Sequence, residues 1–431
     1  MSESVHLLAV ALPRPAAAEA VVRAWEAGEA VLPLDPDAPG PELARVLAAA
    51  RPTHLLDAGG RSRLRDGRPA AAGTAAVVAS SGTGGRPKAV ELDAAAIRAA
   101  AHAVSSALAA GPGDRWLCCL PLHGVAGLAI VARAWHGGLP LEVHERFDPH
   151  RVARAAGRAT LVSLVPAMLP RLRAAGADLG RFRRVLLGGG PLPAAAEGGL
   201  VRTYGLTETF GGVVHDGHPL DGVQLRVARG GGAGGLRERS ESPPVDRGSG
   251  GLTPSPPVDG GADGGEILVR GPMLFRGYRG DPARTAAALR EGWLHTGDLG
   301  RLEPDGRLVV LGRGDDLIVS GGVNVHPVEV EAVLAAHPAV AEVGVRGLPD
   351  PEWGQRVAAF AVPADPADPP TLAELRAYAL ERLPAAKAPR QLVLLPALPR
   401  GPSGKLLRRL LPAAPAAREE PAGKPTQVRY H

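Results

Sequence analysis

The stretch SSGTGGRPKAV, residues 80–90, decides how the rest of the chain is interpreted. It directly follows the apolar run 75–79 and combines hydroxyl side chains, three glycines and a single lysine. Backbone N–H groups of such a turn can converge on phosphate oxygens, because glycine adopts the backbone angles that the turn requires. The order differs from the G-x-x-x-x-G-K-[ST] of a P-loop. Taken alone, the stretch is as typical of a plain glycine-rich surface turn as of a phosphate-binding loop.

Composition narrows the class of protein. The 431 residues are 45% hydrophobic, which suits two or more globular domains. The formal charge of +5 is dispersed and aromatics are only 3%, so nucleic acid is not an expected partner. Lysines are rare beside arginines, and an ammonium and a guanidinium are not interchangeable at a phosphate. The four lysines are Lys88, Lys387, Lys405 and Lys424.

Cysteine usage and hydropathy predict a location. Cys118 and Cys119 are adjacent within an apolar segment, which is typical of buried thiols in a reducing compartment. The N-terminus lacks a basic segment, and no apolar run approaches the roughly 18 residues of a membrane span. We therefore expect a cytoplasmic protein with no membrane span.

The order of apolar runs predicts two domains. From about residue 75 to 210, short strand-like runs alternate with segments of helix length, which favours a mainly parallel α/β sheet. A later compact stretch has the pattern helix, strand, strand, helix, strand. We expect a large domain over 1–312, a small domain over 313–411 and a disordered tail over 412–431. Residues 229–264, rich in Gly, Pro and Ser, are expected to form a flexible insertion.

Four further motifs give the glycine-rich stretch a context. They are TYGLTET (203–209), GWLHTGDLG (292–300), LGRGDDLIVSGGVNVHPVEVE (311–331) and PRGPSGKLLRR (399–409). Together and in this order they resemble the AMP-forming acyl-adenylate superfamily, which includes acyl-CoA synthetases, adenylation domains and luciferases. The resemblance covers nearly all of residues 75–411. It implies a large N-terminal α/β domain with mainly parallel sheets that binds ATP and the acyl group, and a small mobile α+β C-terminal domain.

The resemblance assigns a nucleotide site. Tyr204 would stack on adenine, and Asp298 would accept hydrogen bonds from the ribose hydroxyls with Arg313 as its partner. From the residues alone, Tyr204 could equally be a core residue, and an Asx turn is the better interpretation of Asp298. Gly84 stands where the family usually has a second threonine, which puts one phosphate contact in doubt. The residues that would grip the β- and γ-phosphates are Ser80, Ser81, Gly82, Thr83, Gly84, Gly85 and Lys88.

The resemblance also assigns catalytic residues. Thr207 would bind the α-phosphate, and Glu208 would bind Mg²⁺, a cation that prefers carboxylate oxygens. Lys405 would reach the α-phosphate and the substrate carboxylate. Asp315 would be the hinge about which the small domain turns. Without the resemblance, Thr207 and Glu208 are typical of a helix start, Asp315 of a charged turn and Lys405 of an exposed surface lysine.

The acyl and CoA pockets are assigned in the same way. His123 would line the acyl pocket near the carboxylate, although a buried histidine without a function is an equal interpretation. The glycine turn of residues 188–190 would let a flat ring approach, or would simply end a strand. The glycines at 321 and 322 would let the pantetheine arm pass, or would simply turn the chain. The glycines concerned are Gly188, Gly189, Gly190, Gly321 and Gly322.

These assignments predict an ATP-dependent acyl-CoA ligase that uses Mg²⁺ and takes CoA as co-substrate. The short region before the phosphate loop, with PLHGVAGL (121–128) and VLLGGGPLP (185–193), most resembles o-succinylbenzoyl-CoA synthetases of menaquinone synthesis. Three alternatives remain open: another aryl- or acyl-CoA ligase, a stand-alone adenylation domain that loads a carrier protein, and a binding module without catalysis. The sequence leaves open the acid, the thiol acceptor and the oligomeric state, monomer or homodimer.

Overall fold

The computed structural model describes residues 4–80, 87–189, 199–229, 264–401 and 406–413. Most of the predicted insertion and tail, 230–263 and 414–431, lie outside these residues. The described chain forms two compact units, one ending at Asp315 and one comprising 316–400 with 406–413. The sequence analysis placed this division between residues 312 and 313. Each unit is described by itself.

The first third of unit 1 supplies six strands of a seven-stranded sheet that has parallel strands at its centre, and the seventh, at the edge beside β6, comes from residues 277–278. β1 pairs in parallel with β2 and β3, and β2 pairs in parallel with β5. The outer strands β4 and β6 run antiparallel to their neighbours. The elements are β1 (Leu7–Val10), α1 (Arg14–Glu26), β2 (Ala30–Pro33), α2 (Gly40–Ala50), β3 (His54–Asp57), β4 (Gly60–Arg63), β5 (Thr74–Ser80), β6 (Lys88–Asp93) and α3 (Ala94–Ala107).

A second seven-stranded sheet follows, in the order β13-β12-β11-β10-β9-β7-β8. Its five strands from β11 to β8 are parallel to their neighbours, and β12 and β13 close one edge antiparallel. The elements are β7 (Trp116–Cys118), α4 (Val125–Gly137), β8 (Leu141–Val143), α5 (Pro149–Ala155), β9 (Leu161–Leu164), α6 (Leu169–Ala174), β10 (Arg184–Leu187), β11 (Leu200–Leu206), β12 (Gly211–His215) and β13 (His218–Pro219).

The third part of unit 1 is an antiparallel sheet whose connecting segment returns to the first sheet. β14, β15, β18 and β17 are neighbours in that order, and β19 pairs with β18. β16 leaves this group and pairs with β6 instead, with Tyr278 opposite Val90. The elements are β14 (Gln224–Arg229), β15 (Gly265–Arg270), β16 (Gly277–Tyr278), α7 (Pro282–Ala288), β17 (Leu289–Arg290), β18 (Trp293–Leu302) and β19 (Leu308–Arg313).

Unit 2 is a five-stranded sheet with two helices. β22 and β23 form a long antiparallel pair, and β24 adds to β23 in parallel. The predicted order helix, strand, strand, helix, strand is confirmed for residues 327–394, and a β20–β21 hairpin precedes it. The elements are β20 (Ile318–Ser320), β21 (Val323–Val325), α8 (Pro327–Leu334), β22 (Val340–Asp350), β23 (Gly354–Pro363), α9 (Leu372–Leu380) and β24 (Gln391–Leu394).

Helices α1, α3 and α4 hold the two large sheets of unit 1 together. Their buried alanine, valine, leucine and tryptophan side chains share one apolar core with β1, β5, β7 and β12. Small side chains on α3 allow close helix packing, because alanine at successive core positions brings helix axes together. The predicted α/β class with mainly parallel large sheets is confirmed. Among the described residues, no helix is long and apolar enough to cross a membrane.

A buried ion pair closes unit 2. The Arg408 guanidinium donates to both carboxylate oxygens of Glu331 at 3.2 and 2.6 Å, and also to Asp316 Oδ2 at 3.0 Å. The Glu331 side chain is only 5% exposed and accepts a further bond from Val345 N. Burial raises the pKa of Glu331, and the adjacent Arg408 opposes that rise. Arg408, in the last turn of unit 2, therefore connects that turn to Asp316, the first residue of the unit.

We expect Arg408→Met to lower the free energy of unfolding of unit 2 by about 3–5 kcal/mol, because it leaves the Glu331 carboxylate buried without a cation. Hydrogen exchange of residues 316–400, followed by mass spectrometry, measures this loss.

The double variant Arg408→Met/Glu331→Gln should recover part of the loss, because it removes the unpaired charge as well. Arg382→Met, which breaks an exposed pair with Glu381, is the control and should change little. Wild-type exchange in Arg408→Met would contradict the assigned role of the pair.

Candidate functional site

The glycine-rich loop is the connection of a tight antiparallel pair. Ser80 ends β5 and lies opposite Lys88, which begins β6. The remaining predicted phosphate-loop residues, Ser81, Gly82, Thr83, Gly84 and Gly85, lie outside the described residues. The buried strand β5 thus leads into the loop, and β6, which begins with Lys88, follows it.

Lys88 is half-buried and has no carboxylate within ion-pair distance among the described residues. Burial lowers the pKa of Lys88, while the negative charges of Glu208 and Asp315 oppose that effect. Its Nζ lies over the ring of Tyr278, 5.2 Å from the ring centroid. An ammonium in this setting attracts an anionic ligand strongly, because little solvent screens it.

Glu208 lies in a 3₁₀ turn, residues 207–209, directly after β11. It is buried, and its Oε1 accepts a hydrogen bond from the Tyr278 hydroxyl at 2.7 Å. Thr207 begins the same turn, so the two predicted phosphate and metal residues are adjacent where a strand of the second sheet ends. The alternative interpretation, a helix start, is met only as this single 3₁₀ turn, which ends at Phe210 in the left-handed region.

The Glu208 carboxylate suits Mg²⁺. It is a hard oxygen donor with one oxygen held by Tyr278 and the other without a hydrogen-bond partner among the described residues. Mg²⁺ usually takes one or two protein carboxylates and completes its shell with phosphates and water. No cluster of three or more His, Cys, Asp or Glu that could hold a metal occurs in the described residues.

Tyr204, Asp298 and Arg313 meet as a hydrogen-bonded group. Asp298 Oδ2 accepts from the Tyr204 hydroxyl at 2.8 Å, and its Oδ1 accepts from Arg313 Nη1 at 3.0 Å. Burial and the Asp298 charge raise the pKa of Tyr204 well above its usual range. The Asx-turn interpretation of Asp298 is wrong, because this residue lies inside β18 opposite Arg313 of β19. The register of β18 against β19, rather than a turn, brings Asp298 and Arg313 together.

The predicted acyl-pocket residues lie at the ends of two strands of the second sheet. Gly188 and Gly189 follow β10, and Gly189 has φ of 83°, a conformation that favours glycine. His123 precedes α4, and its Nδ1 lies 3.9 Å from Asp35 Oδ2. Burial lowers the pKa of His123, and Asp35 opposes this. Gly190 lies outside the described residues.

Arg133, a fully buried cation on α4, was not predicted from the sequence. Its Nη2 donates to Ser163 Oγ at 3.3 Å, and its guanidinium lies 4.6 Å from the Trp116 ring centroid. The guanidinium has no carboxylate partner, and Nε has no hydrogen-bond partner, among the described residues. Burial lowers the pKa of Arg133 to about 10, so it stays charged at neutral pH. The signal was available as one arginine within the apolar helix VAGLAIVARAWHG.

Two further polar groups without partners in the described part of the chain lie on β11 and β12, and one of them, His215, is close enough to be affected by the Arg133 charge. Thr203 and His215 lie opposite each other on β11 and β12, and Thr203 Oγ1 and His215 Nε2 are buried without hydrogen bonds to any described residue. Burial and the Arg133 charge lower the pKa of His215 to about 4. A Cβ atom at Gly188 would lie 2.8 Å from Thr203 Cγ2, so this polar group adjoins the glycine turn.

The remaining predicted residues lie at the end of unit 1 and within unit 2. Asp315 lies in a 3₁₀ turn, residues 314–316, where unit 1 ends. Gly321 and Gly322 form the turn of the β20–β21 hairpin, with φ of 57° and 78°. A Cβ atom at Gly321 would lie 2.6 Å from the Trp353 ring, so only glycine fits there. Lys405 lies outside the described residues.

Fold and site together define an enzyme that binds a nucleotide on a large α/β unit followed by a small α+β unit. The pattern of the AMP-binding enzyme family matches residues 60–279, and that of its C-terminal domain matches residues 329–405. The chain belongs to the AMP-binding enzyme family. Both matched regions include residues that the motifs had singled out.

Individual relatives extend the match to most of the chain. A probable 2-succinylbenzoate–CoA ligase of Mycobacterium tuberculosis is 40% identical over 356 residues, which are 78% of this chain and 83% of the relative. The O-succinylbenzoate coenzyme A synthetase of Bacillus subtilis, solved with ATP and magnesium, has a TM-score of 0.77 at 30% identity and covers 95% of this chain and 90% of its own. The same enzyme with its acyl-adenylate intermediate has a TM-score of 0.76 at 28% identity, covering 98% and 90%.

We expect Asp298→Ala to weaken AMP binding about tenfold or more, because a hydrogen bond to a charged group contributes about 1.5–3 kcal/mol. A carboxylate offers about four acceptor positions, and Tyr204 and Arg313 use one each, which leaves room for two ribose hydroxyls. Calorimetric titration with AMP measures the loss.

Titration with 2′,3′-dideoxy-AMP identifies the cause. The wild-type protein should prefer AMP over this analogue, and Asp298→Ala should bind both alike. Asp305→Ala, at an exposed carboxylate paired with Arg307, should leave both affinities unchanged. If Asp298→Ala retained the full preference for AMP, the ribose assignment would be wrong.

Proposed function

We propose that this enzyme is an ATP-dependent acyl-CoA ligase that converts 2-succinylbenzoate, through its acyl-adenylate, to 2-succinylbenzoyl-CoA in menaquinone biosynthesis. The observation that carries the choice of acid is the buried charge of Arg133, for which the described chain supplies no counter-charge. The family assignment and the 2-succinylbenzoate ligases among the relatives support the same reaction.

The first half-reaction joins the acid to AMP. An oxygen of the substrate carboxylate attacks the α-phosphorus of ATP, the bond to the β-phosphate bridging oxygen breaks, and pyrophosphate leaves. Tyr204, Asp298 and Arg313 would hold the nucleoside, while Lys88 and the loop from Ser80 would hold the β- and γ-phosphates. Positioning and charge stabilisation supply most of the catalysis in such transfers. Mg²⁺ held by Glu208 would shield phosphate charge during attack.

Thr207 and Lys405 would act at the reacting centre. Thr207, adjacent to Glu208, would donate a hydrogen bond to the α-phosphate, and the Lys405 ammonium would stabilise the charge that develops there. In the second half-reaction the CoA thiolate attacks the acyl carbon and AMP leaves. We propose that unit 2 turns about Asp315 between the two, so that Lys405 withdraws and the Gly321–Gly322 turn lines the path of pantetheine.

The acid is inferred from charge. A buried cation without a counter-ion costs free energy, and an anionic ligand that enters the site recovers it. 2-Succinylbenzoate carries two carboxylates, so one can be activated near His123 while the other meets Arg133. Arg133 Nε, His215 Nε2 and Thr203 Oγ1 would supply further hydrogen bonds, because none has a partner among the described residues. A benzoate or fatty acid with one carboxylate would leave the guanidinium unpaired.

The remaining parts of the proposal concern acceptor and location. We take CoA as the acceptor, with a carrier-protein thiol as the alternative, because the relatives are CoA ligases. A cytoplasmic location agrees with the adjacent thiols of Cys118 and Cys119, both free and buried. Burial raises the pKa of Cys118 to about 11, which makes that thiol unreactive at neutral pH.

We expect Arg133→Met to lower kcat/KM for 2-succinylbenzoate about 10²-fold or more, because losing one partner of a buried charge pair costs about 2–5 kcal/mol. The matched substrate is 4-oxo-4-phenylbutanoate, which has the same skeleton without the ring carboxylate. Its kcat/KM should be unchanged in the variant. Pyrophosphate release with ATP, Mg²⁺ and CoA measures both.

The thermal midpoint of the ligand-free protein provides the control for folding. Arg133→Met should leave it unchanged or raise it, because a buried charge without a partner is replaced by an apolar side chain of similar length. Equal losses of kcat/KM on the two acids would contradict the assignment of Arg133. No turnover of 2-succinylbenzoate by the wild-type enzyme, beside good turnover of another acid, would sink the choice of substrate.

We expect Lys405→Ala to slow adenylation about 10²–10³-fold, because removal of one charged contact to a transition state has effects of that size. Thioester formation from supplied acyl-adenylate should stay close to wild type, since that step does not use the lysine. Lys424→Ala is the matched control and should affect neither. Equal losses in both half-reactions would contradict the proposed turn about Asp315.

A further inference from the structure

Tyr278 touches two of the proposed functional residues and was not singled out by any motif. Its hydroxyl donates to Glu208 Oε1 at 2.7 Å, and its ring lies beneath Lys88 Nζ at 5.2 Å from the centroid. The Tyr278 side chain is buried, and Phe275 packs edge-on against its ring. One side chain therefore contacts both the carboxylate that suits Mg²⁺ and the lysine of the phosphate loop.

The backbone fixes Tyr278 from two directions. Its β16 strand pairs with β6, which places Tyr278 opposite Val90, two residues after Lys88. Phe275 N donates to Glu208 O at 2.8 Å, so the same segment also holds the turn that carries the carboxylate. Tyr278 N donates to Thr285 Oγ1 at 2.9 Å. These bonds hold the backbone of the segment, and the hydroxyl bond to Glu208 and the Phe275 ring hold the side chain.

The charges nearby explain what such a residue does. Lys88 and Glu208 are close enough to affect each other electrostatically, yet no ion pair within 4.0 Å joins them among the described residues. Direct pairing would satisfy both charges and leave neither for a ligand. The Tyr278 hydroxyl occupies one oxygen of Glu208, and its ring face holds the ammonium by a cation–π contact. Arg284, 6.0 Å from the same ring centroid, and Arg313 add positive charge around this group.

We propose that Tyr278 is a positioning residue that keeps Glu208 and Lys88 apart, so that one carboxylate oxygen is presented to Mg²⁺ and the ammonium to the ATP phosphates. The inference rests on the proposed function, because it assumes that Mg²⁺ and ATP meet at Glu208. It assigns Tyr278 no contact with substrate. Its effect is on how tightly Mg²⁺ couples to nucleotide binding.

The test uses Tyr278→Phe in the full chain, which keeps the ring and removes the hydroxyl. We expect the Mg²⁺ concentration for half-maximal adenylation to rise about tenfold, the size expected for loss of a hydrogen bond to a charged group. Thioester formation from supplied acyl-adenylate should be unchanged. Calorimetry gives a readout without turnover: Mg²⁺ should tighten ATP binding less in the variant, while AMP binding without Mg²⁺ stays the same.

The matched control is Tyr378→Phe, which removes an exposed hydroxyl that donates to Ala336 O in unit 2. It should leave the Mg²⁺ dependence unchanged. A Tyr278→Phe enzyme that is slower in both half-reactions with wild-type Mg²⁺ dependence would overturn the proposal. Glu208→Gln and the double variant with Tyr278→Phe give a second test: the two changes should be non-additive in Mg²⁺-dependent ATP binding, and additivity would overturn the proposal.

Failure of the proposed function gives a different result. A wild-type protein that activates no acid but binds ATP more tightly with Mg²⁺ would refute the ligase assignment. The calorimetric comparison of wild type and Tyr278→Phe would still test the positioning role, because it needs no acid. Absence of any Mg²⁺ effect on ATP binding by the wild-type protein would contradict both the ligase assignment and the positioning role of Tyr278.

Discussion

The pairing of β16 with β6 is the constraint on which the nucleotide site depends. These strands come from segments almost two hundred residues apart, yet their register places Tyr278 opposite Val90 and holds Phe275 against the Glu208 turn. The phosphate strand, the carboxylate turn and the segment after β15 are thereby fixed to one another by backbone hydrogen bonds. Side chains held by backbone register lose little further entropy when a ligand binds, so Lys88, Glu208 and Tyr278 are positioned before a ligand arrives.

A second constraint is electrostatic and lies under the second sheet. Proteins seldom bury a guanidinium without a carboxylate, because desolvation is costly and only a close anion offsets it. The Arg133 guanidinium contacts the Ser163 hydroxyl and the Trp116 ring, and each is a weaker partner than an anion would be. The fold therefore holds a charge that weakens the ligand-free state. Such a cost is typical of binding sites, where stability is lower because the missing partner is the ligand.

Much of the fold follows from local patterns, and the site follows only in part. Apolar runs separated by helix-length segments predicted the parallel centre of the second sheet, because strand periodicity and turn residues are local properties. The Asx turn expected at Asp298 was wrong, since the pairing with Arg313 depends on the register of β18 and β19. Tyr278 was missed for the same reason, since it belongs to no motif and Glu208 lies 70 residues away in sequence. Arg133 did have a local signal, one arginine within an apolar helix, but its contact with Ser163, 30 residues away, depends on packing.

The rarity of lysine in this chain is a weak indication of function, because not every lysine serves a functional site. Lys387 is one of the four, yet its ammonium donates to both oxygens of Glu329 at 2.9 and 2.7 Å, which is an ordinary structural ion pair. What distinguishes Lys88 is the lack of such a carboxylate among the described residues together with partial burial. Arg133, at a separate place in unit 1, also lacks a carboxylate partner among the described residues and is fully buried. Lys88, where β6 leaves the phosphate loop, and Arg133, on the buried helix α4, are thus two cations without a carboxylate partner among the described residues, and an anionic group of a substrate would neutralise each of them as proposed.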